Sequence, residues 1–223
     1  FLELNTQEPQ LVVVSDGIGG HKGGDYASWY LTKKLSLERW ESRQVSKIYR
    51  VLEKIDSELR EKMLVSPELV GMGSTVAGMI FYGGSVVHFN VGDSRIYQLR
   101  NRAILRRSRD HSRVELLLHE GVIEEREVST HPMRNFVECC LGGSEPLPDM
   151  SVAQSRRLLP QDVVLIWSDG LWSGAADEAL LALTDADNAL APALTELARL
   201  AIENNAPHGD NTSAVAVRAG ESS

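Results

Sequence analysis

Two aspartates in this chain stand in the same setting, because "LVVVSDG" (Leu11 to Gly17) and "VVLIWSDG" (Val163 to Gly170) each end an apolar run in Ser-Asp-Gly. A third carboxylate, Asp210 in "HGDN", precedes the last β-prone run, and a fourth, Asp93, lies in the turn "VGDS". If those strand ends converge, the carboxylates occupy one small volume and their mutual repulsion needs an offset. Divalent cations supply it: carboxylates, water and a backbone carbonyl are the oxygen donors that magnesium and manganese prefer, and no histidine-cysteine cluster competes. A glycine after each aspartate lets a carbonyl turn inward and a bulky substrate come close. The plainer reading is that Asp-Gly and Gly-Asp pairs form turns for local reasons. Repetition of the tripeptide after two separate apolar runs favours a site, although spacing alone does not establish convergence.

Other chemistries fit less well. The stretch "GIGGHKGG" lacks the Gly-Lys-Ser/Thr of a phosphate-cradling Walker loop, since Lys22 follows His21 and precedes Gly23. As a dinucleotide fingerprint it is degenerate, with Gly17, Gly19 and Gly23 at best and Glu38 or Glu41 imitating the ribose-binding acid. Nothing resembles a serine-histidine-aspartate elbow. Cys139 and Cys140 are adjacent, where a bridge would be strained, and read as small hydrophobes.

Several elements must position these residues. Leu11 to Ser15 reads as a strand buried on both faces. Ala27, Leu31 and Leu35 put an apolar stripe on a helix from about Asp25 to Trp40, and Ile48, Leu52, Ile55, Leu59 and Met63 mark a second that ends before Pro67. From Gly73 the period changes, and turns at Gly83-Gly84, Gly92-Asp93 and Arg100-Asn101 suggest a meander of four strands. Antiparallel sheet of that kind argues against a purely parallel architecture. "HSRVELLLHEG" is a short helix stopped by Gly121. Residues Val122 to Pro148 form a polar surface excursion. A strand at Val163 to Trp167, helices at Asp177 to Leu183 and Leu190 to Ile202, and a last strand at Thr212 to Val217 complete the chain.

The 223 residues suit one domain, and no linker rich in Gly, Ser or Pro divides residues 1–223. A net charge of -8 repels nucleic acid and anionic membranes unless bound cations reverse the field locally. No stretch is apolar for long enough to enter a membrane and "FLELNTQEPQ" is unlike a signal peptide, so a cytoplasmic protein is expected.

The segments "VVVSDGIGGHKGGDYAS", "GMGSTVAG", "FNVGDSRIYQL", "SRDHS", "VLIWSDGLW" and "GDNTSAVAV" follow one another as in the metal-dependent serine/threonine protein phosphatases of the PP2C type, and the chain resembles their compact bacterial form from Leu11 to Val217. The resemblance implies an α+β fold, a four-layer α-β-β-α sandwich with two central antiparallel sheets and a two-metal centre between them. It implies that Asp16 bridges two manganese or magnesium ions, that Gly17 offers its carbonyl to one, and that Asp169 and Asp210 hold the other. Asp93 and Asp169 resemble the pair for a third, weaker divalent metal, Asn211 orients the site, and the 122–148 excursion overlaps a flap that selects protein substrates. The reaction implied is hydrolysis of phosphoserine or phosphothreonine by a hydroxide shared between the metals, with His21 as candidate proton donor to the leaving group. Phosphoproteins and a cognate serine/threonine kinase are the implied partners. Family members begin with an arginine and an Asn-Glu-Asp stretch, whereas only Glu3, Asn5 and Glu8 precede the first strand here. A natural start missing from the chain is therefore expected. The alternative is a catalytically weak module of the same fold that binds phosphoproteins.

Overall fold

The computed structural model describes residues 8–220 except 19, 41–44, 83–84, 129, 135, 144–148, 156–157, 186–188 and 208, and gives the backbone alone for 20–22, 85 and 155. The expectations for the chain start, including Glu3 and Asn5, lie outside the described residues.

The strands are β1 (Gln10–Val14), β2 (Gly17–Ile18), β3 (Gly73–Ser74), β4 (Val76–Tyr82), β5 (Ser85–Val91), β6 (Arg95–Arg100), β7 (Ala103–Arg107), β8 (Ser151–Ser155), β9 (Val163–Trp167) and β10 (Ala214–Arg218). The helices are α1 (Gly20–Leu37), α2 (Val45–Val65), α3 (Arg113–His119), α4 (Glu125–Val128), α5 (Asp169–Trp172), α6 (Asp177–Leu180) and α7 (Leu190–Asn205). Two four-stranded antiparallel sheets, ordered β1-β4-β5-β8 and β10-β9-β6-β7, face each other, and β2 pairs with β3 beside them.

Alternation along the strands builds the layers. On β4, Val76 and Ile80 join a core with Leu31, Leu35, Leu52 and Leu59 of α1 and α2, whereas Ala77, Met79 and Phe81 point between the sheets. On β9, Val164 and Ile166 meet them there, while Val163, Leu165 and Trp167 face Leu171, Leu180 and Leu197 of α5, α6 and α7. Three apolar cores separate four layers, which is the α-β-β-α sandwich that the family resemblance implied.

Several boundaries moved for physical reasons. Helix α1 starts at Gly20 rather than near Asp25, inside the glycine cluster. Its early glycines allow close packing: a Cβ on Gly24 would stand 2.7 Å from the Gly17 carbonyl oxygen, and one on Gly23 would stand 3.2 Å from Met72 Cβ. Strand β1 is half-buried rather than fully buried, because it forms the edge of its sheet. The four strands after Gly73 are not one meander: Gly92-Asp93 carries the chain from the first sheet to the second. Gly92 has φ +99°, a conformation that side-chain-bearing residues rarely adopt, and the crossing leaves Asp93 between the sheet ends. Strand β8 is not among the strands expected from the sequence, because "SVAQS" has too few apolar residues to alternate visibly. No helix among the described residues is long and apolar enough to cross a membrane.

Candidate metal centre

The end of the sandwich where β1, β5 and β9 stop and β6 and β10 begin collects the sequence-predicted carboxylates. Asp16 follows β1, and its backbone is fixed by hydroxyl-bearing neighbours from the β3-β4 junction. Thr75 N donates to Asp16 O at 2.8 Å, Ser74 Oγ donates to the same oxygen at 2.9 Å, and Asp16 N donates to Thr75 Oγ1 at 3.3 Å. Thr75 Oγ1 also bonds Ser94 Oγ at 2.8 Å, tying this loop to the turn that carries Asp93. Ser74 and Thr75 lie within "GMGSTVAG", where hydroxyl residues carry no periodic signal that would mark this role in the sequence.

Asp169 opens α5 immediately after β9. Ser168 N donates to Ser213 O at 2.9 Å and Ser213 N donates to Ser168 Oγ at 3.1 Å, so the Asp169 and Asp210 segments leave neighbouring strands together. They pack so tightly that a Cβ on Gly170 would lie 2.3 Å from the Asn211 carbonyl oxygen. Protein backbone, rather than an approaching substrate, makes glycine necessary at 170. Asn211 acts through its main chain: its N donates to Asp210 Oδ1 at 2.7 Å, and its carbonyl accepts from Ser168 Oγ at 3.4 Å. Gly17 pairs with Ser74 in the β2-β3 ribbon. His21 lies in the first turn of α1, and its side chain is outside the described residues.

The electrostatics show convergence that spacing alone could not. Burial, followed by the charge of Asp169 and a hydrogen bond with it, raises the Asp16 carboxyl to about 7, with Asp210 adding to the effect. Asp93, only 3% exposed, is raised to about 8 by burial first and then by Asp169, Asp110 and Asp16. Asp169 is raised by burial and by Asp210 despite opposing hydrogen bonds from Asp16 and Gly170 and the nearby charge of Arg95. Asp93 Oδ2 and Asp169 Oδ1 are buried and accept from no described group. Burial of a carboxylate oxygen without a donor is unfavourable unless a proton or a cation compensates. The donor set is all oxygen, which fits a hard divalent ion. Among the described residues no group of three acidic, histidine or cysteine side chains forms a ready-made ligand cage. The cluster is thus joined by its field more than by preset ligand geometry.

Residues 3–209 match the family model described as Protein phosphatase 2C. The chain belongs to the protein phosphatase 2C family. It is 30% identical to the serine/threonine protein phosphatase PstP of Mycobacterium tuberculosis over 77% of its own length, and it spans only 34% of that protein. Identity to the serine/threonine phosphatase stp of Listeria monocytogenes is 33%, covering 75% of this chain and 68% of the relative. Among solved structures, the catalytic domain of PstP in complex with two manganese ions superposes with a TM-score of 0.76 at 26% identity, covering 96% of this chain and 93% of that one.

Around the carboxylates, the structure assigns structural roles to several residues of the motifs. His111 accepts from Gly92 N through Nδ1 at 3.3 Å and bonds Ser151 Oγ through Nε2 at 3.0 Å, so it anchors the crossing turn. The 122–148 excursion is stitched back at its described parts by pairings between Ser112 and Val137 and between Ser74 and Leu141. Cys139 and Cys140 are free thiols.

Proposed function

We propose that this chain hydrolyses phosphoserine and phosphothreonine in proteins with the help of divalent metal ions. The observation that carries the reading is the set of buried, donor-less carboxylate oxygens on Asp93 and Asp169, in one electrostatic unit with Asp16 and Asp210, within a protein phosphatase 2C chain. Without cations this cluster would repel a phosphate monoester, and the net charge of -8 would add to the repulsion. Asp16, the Gly17 carbonyl, Asp169 and Asp210 are the residues that would hold two manganese or magnesium ions, with Asp93 and Asp169 serving a third, weaker one. When bound, such ions supply Lewis acidity toward the phosphoryl oxygens and a water of lowered pKa.

The chain's own groups complete the reaction. A phosphorus-oxygen bond to water forms, the bond to the serine or threonine oxygen breaks, and that leaving oxygen needs a proton. His21, in the first turn of α1, is the proposed donor. Asn211 holds Asp210 through its backbone, and the 122–148 excursion is the proposed protein-selecting flap. A cytoplasmic location, opposite a serine/threonine kinase, follows from the same reading.

The test is phosphate release from a phosphothreonine peptide as manganese is titrated, comparing the chain with its Asp169→Asn form. Turnover that requires metal and collapses on substitution supports the proposal. Equal and negligible release from both folded, metal-loaded proteins would instead favour a phosphoprotein-binding module.

A further inference from the structure

Beside the carboxylate cluster lies a charged side chain that the proposed reaction does not use. Arg95, at the start of β6, is 8% exposed, and its guanidinium is held by Asp110 in a forked contact. Nε donates to Asp110 Oδ1 at 3.1 Å and Oδ2 at 2.9 Å, and Nη2 donates to Oδ2 at 2.7 Å. Its central carbon lies 3.8 Å from the centre of the Trp172 ring. Trp172 belongs to the turn of helix that begins at Asp169, and its Nε1 donates to the Asp93 carbonyl at 3.0 Å. The Tyr97 hydroxyl accepts from Nη1 at 3.5 Å and donates to Asp177 Oδ1 at 2.9 Å.

A buried ion pair is poor evidence for stability, because desolvation cancels most of the attraction and an apolar replacement is often as stable. What the arrangement does supply is geometry. Two planar groups at right chemistry for one another, a guanidinium and an indole, fix the spacing of the Gly92-Asp93 turn and the Ser168–Trp172 turn. Only those two turns carry the donor-less oxygens, Asp93 Oδ2 and Asp169 Oδ1, among the acidic groups described.

We propose that Arg95 and Trp172 are positioning residues that hold Asp93 and Asp169 as a pair for the weaker divalent cation. This rests on the metal-dependent reading above. Arginine is required at 95 because lysine has neither the fork that meets Asp110 nor the flat face that meets Trp172. Tryptophan is required at 172 because phenylalanine keeps the ring but loses the donor to the Asp93 carbonyl. Removing such supports around a metal ligand costs about 10- to 100-fold in metal affinity.

The experiment measures manganese binding by calorimetry, and peptide turnover in the same samples, for the unaltered chain, Asp93→Asn, Arg95→Lys and Trp172→Phe. The expected result is a weak site lost in Asp93→Asn, and weakened about tenfold or more in both Arg95→Lys and Trp172→Phe. Tighter sites, KM for the peptide and the melting temperature should stay near their original values, with the loss appearing in kcat. An Asp93-dependent site that neither variant weakens overturns the positioning role and leaves the phosphatase reading intact. Absence of any Asp93-dependent site overturns the role together with the third-metal assignment, while metal-dependent turnover in that sample would show that the phosphatase reading itself survives. Equal weakening of all sites with a fallen melting temperature would reduce both residues to structural parts and also overturns the proposal.

Discussion

At the far end of β9 from the metal centre, Asp162 is fully buried, and it accepts from Gln98 Nε2 at 3.0 Å, from Leu159 N at 3.0 Å and from Arg100 Nη2 at 2.8 Å. At the near end Asp93 is almost as buried, yet its Oδ2 accepts from no described donor. Burial pushes both carboxyls up. At Asp162 the hydrogen bonds from Arg100, Leu159 and Gln98 overcome it, and the carboxyl ends below its ordinary range. At Asp93, neighbouring acids reinforce burial, and the carboxyl is raised to about 8. One strand therefore joins an aspartate that the fold satisfies to a cluster of aspartates that it leaves in need of cations. Burial is common to both ends, and the supply of donors separates a structural carboxylate from a functional one.

The largest expected break of this contrast is Asp16→Asn. Manganese-dependent phosphate release should fall by about a thousandfold, corresponding to the several kcal/mol of charge stabilisation that a bound cation supplies. The same substitution should raise the melting temperature of the metal-free protein at pH 8, because it removes a charge from a crowded buried site. A metal-free melting temperature that falls instead would mean that the carboxylate is already compensated.

Next in size is the effect of pH on the metal. With Asp16 and Asp93 titrating near 7 and 8, protons compete with cations, so manganese affinity should drop about tenfold per pH unit for each proton displaced as pH falls from 8 to 6. Calorimetry in buffers of different ionisation enthalpy would reveal the released protons, and identical heats in all buffers would refute it. The stability of the metal-free protein follows from the same values. Raised carboxyls contribute most below their ordinary range and lose that contribution as pH rises through about 7 and 8, whereas Asp162, being lowered, contributes above the ordinary range and loses it as pH falls through its folded value. Thermal melts without metal should therefore be highest in mildly acidic solution.

A smaller effect is expected at His21. His21→Gln should lower kcat about a hundredfold for a phosphothreonine peptide, whose leaving alkoxide needs a proton, and leave p-nitrophenyl phosphate, with its good leaving group, nearly unchanged. Equal losses on both substrates would remove the proton-donor role. The smallest effect on turnover belongs to the other end of the molecule. Asp162→Asn should keep kcat/KM within about threefold while lowering the melting temperature by roughly 3–10 °C, because its donors lose a charged acceptor.

Much of this was legible before folding. The aspartates were visible in the sequence because apolar runs ended in Asp16 and Asp169, a β-prone run followed Asp210 and a glycine turn held Asp93, and β9 matches its expected boundaries because both its faces are covered. The glycines were legible as unusual but not for the right reason at Gly170, whose neighbour across the gap is Asn211, 41 positions away in sequence. The sheet change at Gly92-Asp93 was hidden, since a hairpin turn and a crossing turn share a composition. Ser74, Thr75, Asp110 and the pairing of Arg95 with Trp172 were not assigned, because contacts between distant segments leave no period.

The sequence by itself determined the identity of the acid groups, the alternation that places one strand face inward and the other outward, and the helical stripes that cover both sheets. These depend on local periodicity, which a linear chain carries. Only the tertiary structure decided that the four aspartates share one field, that two of their oxygens are buried without donors, and that Arg95 lies against Trp172. Those properties depend on distances and solvent exclusion between segments, which exist only after the sheets have closed face to face.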